Sequence, residues 1–217
     1  LLRFDQETHL TSGDFRVDLH AATAPHHREI DALFGRFDLT QRQGLTRFLA
    51  AHAIGMRACQ PVIARFGETA LGCAPPDYAG ILARDLAALG VAAAQLPIAN
   101  LPGDICGESS GAGVFYVVAG SRMGAAVLRN QATAMTPRGP AHTACGYFAQ
   151  GEGPAVWRLF RLWLSQQSEH AAAGRAAVDL PGMIGAAKAA FQLFADAADL
   201  AAGLDVGFAE RRFGDAA

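Results

Sequence analysis

His26 and His27 stand side by side, with Asp31 four residues after the second of them. That spacing puts a carboxylate one helical turn from an imidazole on the same face. A carboxylate so placed accepts a hydrogen bond from one ring nitrogen, fixes the tautomer and leaves the other nitrogen free to bind a metal. Far along the chain, VFYVVAGSRMGAAVLR (residues 114–129) is strongly apolar yet stripped of large side chains midway, at Ala119, Gly120, Ser121, Gly124, Ala125 and Ala126. Glycine inside a helix costs about 1 kcal/mol relative to alanine, so two of them one turn apart need a reason. A bare strip of backbone gives a flat or bulky ligand a place to lie. Together the two segments suit a flat metal macrocycle, with iron held on one side and peptide groups close on the other.

Each feature also has a plainer reading. His27 shares its face with Thr23, Ile30 and Phe34, whereas His26 lines up with Ala22, Ile30 and Leu33. Periodicity does not choose between them, and both would equally serve as ordinary hydrogen-bonded histidines near a proline kink. His52, on the apolar stripe of another helix, is a competing ligand. A Gly-x-x-x-Gly face often only lets a neighbouring helix approach closely. No C-x-x-C-H attachment motif is present, so a haem here would be exchangeable or consumed.

The elements that must position these residues read as helices. Thr11 and Asp14 have capping-box spacing ahead of Phe15, Leu19, Ala22, Ile30, Leu33, Phe34 and Phe37, a helix kinked or restarted at Pro25. Thr40 and Gln43 form a second box before the cleanest 3.6-residue stripe, Leu45 to Phe66, whose far end Pro61 should bend. Asp77 can cap a helix carrying Tyr78, Ile81, Leu82, Leu86 and Leu89, and 96–110 reads as a loop. The bare-centred helix follows, then a break over 136–140 and a short segment around Tyr147. Pro154 opens a further helix, and Pro181 and Gly182 precede a last one with Ile184, Ala187, Phe191, Phe194 and Ala198 on one face. The expectation is a single all-α domain, a bundle of about seven or eight helices over residues 14–205, with terminal extensions 1–13 and 206–217.

Composition narrows the function classes. The 217 residues are 51% hydrophobic and 18% charged, enough for a sizeable core. With 18 Lys and Arg against 20 Asp and Glu, the net charge is −2 and no basic cluster exists to neutralise a run of phosphates, so nucleic acid is not expected as a partner. Cys59, Cys73, Cys106 and Cys145 are scattered, without disulfide or zinc spacing. The N-terminal residues do not read as a signal peptide, and the longest apolar run falls short of the roughly 20 residues a spanning helix requires. A cytoplasmic protein without membrane partners is the expectation. No nucleotide fingerprint occurs around Gly107 to Gly113, so electrons for redox chemistry would come from outside.

The order and wording of the two segments resemble the haem (heme) oxygenases, especially the bacterial ones associated with bacteriophytochromes. An N-terminal helix of that family reads like L-x-x-x-T-x-x-H-H-x-x-x-D/E, and here Leu19, Thr23, His26, His27 and Asp31 fall at those places. The family's other helix reads like L-Y-V-L-E-G-S-x-L-G-G, matched by Phe115, Tyr116, Val117, Val118, Ala119, Gly120, Ser121, Arg122, Met123, Gly124 and Ala125. Downstream, YFAQGEGPAVWRLFRLWL and AAKAAFQLF are similar to the group's closing helices, so the resemblance covers most of the chain after about Asp14. Three departures stand out. Ala119 replaces an acidic residue, Arg122 brings in a cation, and Ala125 adds a methyl where a second glycine is common. The basic residue that many members place on the last helix to hold a haem propionate is also missing, since Phe194 and Ala195 occupy that neighbourhood.

The resemblance implies a haem oxygenase-like bundle in which haem is both substrate and cofactor, cleaved with dioxygen to biliverdin, carbon monoxide and ferrous iron. It makes His27 the axial iron ligand and Asp31 its orienting partner. Tyr116, Gly120, Ser121 and Gly124 would shape the opposite wall, Ser121 with ordered water supplying protons. Arg16, His20 and Arg122 are the candidates to replace the missing propionate partner. A ferredoxin or flavoprotein reductase would supply electrons. Two alternatives remain: a non-catalytic haem-binding, storage or sensing protein on the same fold, and a thiamine-degrading or quinone-cofactor type of enzyme, in which Cys59, Cys106, Cys145 and Glu152 would matter instead.

Overall fold

The structure, a computed structural model, describes residues 13–101, 103, 105, 107–134, 144, 146–149, 153–175 and 177–205. Among them are eight α-helices and no strand. They are α1 (Phe15–Phe34), α2 (Arg42–Ala70), α3 (Tyr78–Ala88), α4 (Glu108–Ser121), α5 (Ala125–Ala134), α6 (Gly146–Ala149), α7 (Gly153–Ala172) and α8 (Leu180–Ala202). No helix among the described residues is long and apolar enough to cross a membrane.

Three aspartates cap helices, of which the sequence names only Asp77 in that role; Asp14, read as the box partner of Thr11, is itself the cap of α1. Asp14 accepts from the amides of Arg16 and Val17, Asp77 from Gly80 and Asp179 from Gly182, each satisfying a first-turn donor that has no partner inside the helix. Thr11 lies outside the described residues. Thr40 does not cap α2. Its hydroxyl donates to Asp38 Oδ1 at 2.6 Å, with the Thr40 amide on the same oxygen at 2.9 Å, so the neighbouring carboxylate captures the group a cap would need. Gln41 stands at the cap position without a side-chain bond. These bonds hold the Asp38 carboxyl below the usual carboxylate range. Helices α1 and α2 both run on through their prolines, Pro25 and Pro61, as single assigned elements.

The bare-centred segment differs from its expected form. Its helix begins at Glu108, inside the stretch read as loop, and breaks at a 3-10 turn over Arg122–Gly124 before α5 resumes. The break over 136–140 lies outside the described residues.

Helix α8 is the hub, packing most extensively against α4 and then against α2 and α1. Its inner face is largely alanine, with Ala187, Ala190, Ala197, Ala198 and Ala201 fully buried, so neighbouring backbones come close. At the tightest point a Cβ on Gly113 of α4 would lie 2.2 Å from the Met183 carbonyl oxygen, which requires glycine. Residues from α1 to α4 and α6 to α8 form one continuous buried cluster.

Candidate functional site

A cavity of about 710 Å³ opens among α1, α2, α4, α5, α7 and α8, within the roughly 300–1,000 Å³ usual for small-molecule sites. His20, His27 and Asp31 line it from α1, and Tyr116, Gly120, Ser121 and Gly124 from the facing wall. Most of the expected site residues are therefore brought together from segments far apart in the sequence.

The cavity separates the adjacent histidines. His27 lines it, with its side chain 54% exposed and Nδ1 3.3 Å from Asp31 Oδ2. A carboxylate at Nδ1 favours the tautomer whose lone pair is on Nε2, the form that binds a metal. His26 does not line it. Its Nδ1 is buried and finds no hydrogen-bond partner among the described residues, and its ring lies 6.3 Å from Phe191.

The glycines separate in the same way. Gly113 meets α8 and serves packing, whereas among the described residues a Cβ on Gly124 would meet nothing within 4 Å. Among the same residues, one on Gly120 would touch only the Trp157 ring, at 3.8 Å. Neither of these two is required by a neighbouring helix, and both border the open space. Ala119 and Ala125 are buried and do not line the cavity, so the Ala125 methyl takes nothing from it. The hydroxyl of Ser121 lines the cavity but donates to the Val118 carbonyl at 2.8 Å, so its proton is engaged and its oxygen is left to accept.

Arg122 is placed elsewhere. The 3-10 turn swings its side chain inward, 5% exposed, with the guanidinium 3.9 Å from the Tyr147 ring centroid and Nη2 donating to the Tyr147 carbonyl at 2.6 Å. It supports the wall from behind and does not reach the cavity mouth. Arg16 and His20 do meet at an adjoining recess, with Tyr116, Trp157 and Arg161. Arg158 joins Arg16 and Arg161 along the neighbouring α1–α7 groove. The α7 arginines were missed from sequence because WRLFRLWL reads as an apolar helix; the signal was two cations three residues apart on its polar side.

His52 also lines the cavity. Burial pushes its ring down to about 3, the Arg122 charge adding to this and the Phe48 carbonyl opposing it, so it is neutral. Phe34, Phe48 and Phe194 surround it and make the inner end of the cavity aromatic.

Cys59 is buried, its thiol pushed up to about 12 by burial, and it does not line the cavity. Cys106, Cys145 and Glu152 lie outside the described residues. Among the described residues, no group of three or more His, Cys, Asp or Glu is placed to hold a bare metal ion. Single imidazoles in an apolar cavity are instead the donor set that suits iron whose other positions a macrocycle fills. Open space at Gly124, an imidazole on α1 held through Nδ1 by Asp31, and the arginines of the adjoining recess fit haem. No family model matches the chain, and no curated protein matches its sequence.

Proposed function

We propose that the chain binds haem in this cavity and, with dioxygen and electrons from an external donor, opens it to biliverdin, carbon monoxide and ferrous iron in the manner of a haem oxygenase. The observation that carries the reading is the meeting, in one cavity of suitable size, of the His27–Asp31 pair with backbone left bare at Gly120 and Gly124. Haem supplies the oxygen-activating iron when bound; the protein's own part is to bind, orient and exclude.

His27 would hold the iron through Nε2 while Asp31 holds the ring through Nδ1. Thr23, buried beneath the cavity, anchors this turn: its hydroxyl donates to the Leu19 carbonyl at 2.7 Å, and Oγ1 lies 3.5 Å from Tyr116 OH across to α4. Arg16 and Arg161 offer positive charge, and His20 a ring nitrogen, for a carboxylate-bearing edge, the role sought on the last helix and met in this proposal from α1 and α7. Gly120 and Gly124 let the ligand approach peptide groups, and the aromatic inner end limits water. A ferredoxin or flavoprotein reductase remains the electron donor of this proposal.

One observation favours a second reading, haem binding without turnover. Among the described residues the only carboxylate lining the cavity is Asp31, on the α1 side, and the Ser121 proton is already engaged. Proton delivery on the glycine wall therefore falls to water and the Tyr116 hydroxyl, with no carboxylate there among the described residues.

Haemin titration tests the binding. A Soret band with an axial-histidine signature is expected, and His27→Ala should lose it; retention of the unchanged spectrum by that variant rules out His27. Ascorbate or reduced ferredoxin with oxygen then separates the readings, since biliverdin absorption appears only with turnover.

A further inference from the structure

The imidazole of His52 has no part in the site described so far, yet it lines the same cavity from the α2 side. Its Nδ1 lies 3.0 Å from the Phe48 carbonyl oxygen. A carbonyl only accepts, so Nδ1 carries the ring proton and Nε2 keeps its lone pair. The ring plane is fixed by close neighbours, with centroids of Phe48 at 4.4 Å, Phe34 at 4.5 Å and Tyr147 at 5.1 Å. No hydrogen bond among the described residues engages Nε2. The Nε2 lone pair is therefore available to a ligand in the cavity that the ring lines.

His27 has the same tautomer, set by Asp31. The cavity is therefore lined by two imidazoles whose Nδ1 is engaged, by the Phe48 carbonyl in one case and the Asp31 carboxylate in the other. Both pack on α8, His27 5.6 Å from Phe191 and His52 6.0 Å from Phe194, side chains one turn apart on that helix.

We propose that His52 is a second iron-binding imidazole, which takes the axial position His27 leaves open when haem is bound and no exogenous ligand competes. This rests on the haem reading above. Helix α2 then gates the iron: a small ligand must displace His52 before it binds, and its apparent affinity falls by the fraction of iron that His52 leaves free.

The full chain reconstituted with haemin is examined by absorption and electron paramagnetic resonance. The expected result is a six-coordinate, low-spin complex in the wild type and a high-spin complex in His52→Gln that keeps its Soret band through His27. Added imidazole should return His52→Gln to low spin. In the ferrous protein, carbon monoxide affinity should rise roughly tenfold in the variant, as expected when a competing ligand is removed. His52→Phe, which keeps a ring without a lone pair, replaces the glutamine variant if circular dichroism shows that the latter does not fold. A high-spin wild type overturns the proposal and leaves His27 and the haem site standing, as does a low-spin signal that persists in both variants. Absence of any Soret band in the wild type brings down the haem reading and this proposal together.

Discussion

Gly113 and Gly124 are the same residue type with opposite reasons for being there. A methyl on Gly113 would collide with the Met183 backbone, whereas one on Gly124 would enter open space. Gly113→Ala should therefore lower stability by about 3 kcal/mol, the upper part of the range for overpacking. Gly124→Leu should leave the denaturation midpoint near wild type and weaken haemin binding, read by titration. His52 adds a pH dependence. Its folded value, about 3, lies below the ordinary 6.5, so between these limits the unfolded chain binds more protons and stability rises with pH. The contribution is fully present above 6.5 and is lost as pH falls toward 3, by up to about 1.4 kcal/mol per pH unit. His52→Phe should flatten that acid arm in denaturation curves taken at pH 7, 5 and 4. At this scale the His27–Asp31 pairing was legible, because i,i+4 spacing is a local property. The choice of His27 over His26 on residues alone was not, since it depends on where α8 lies.

The 3-10 turn at Arg122–Gly124 and the short α6 belong together as elements. Asp85 of α3 accepts from the amides of Gly146 and Tyr147 at 3.1 and 2.7 Å, holding the start of α6. Arg122 takes the Tyr147 carbonyl from the other side. Burial raises the Asp85 carboxyl, its two amide donors and Arg84 opposing the shift. Asp85→Ala would leave two amide donors without their charged acceptor and should cost about 3 kcal/mol in urea unfolding; Asp85→Asn, which retains one acceptor oxygen, should cost less. The turn that breaks the glycine-rich segment could not be read from 114–129, where no proline or cap marks a break. It exists because Arg122 finds two tyrosine faces and a carbonyl in distant parts of the chain. The Thr40 cap failed similarly, though its competitor, Asp38, is only two residues away.

Across the whole molecule, helix type and order followed from periodicity and from aspartate caps, while the cavity did not, because it is a property of six helices at once. What sequence could supply was its two opposed walls; Arg161 in the adjoining recess and the place of the His52 imidazole at the inner end emerge only when α7 and α2 are in place. The alanine face of α8 is the common cause, since it draws α4, α2 and α1 onto one axis and leaves the larger side chains to border the space beside it. Cys59 lies inside that same assembly, on α2, with a thiol that burial keeps protonated. Only the thiolate reacts with alkylating reagents, so native Cys59 is silent to them at neutral pH. Its labelling rate consequently becomes a clock for the breathing of the bundle: Cys59 should be modified more slowly than the half-buried Cys73 under native conditions, and saturating haemin should slow it further if the ligand clamps α2 against its neighbours.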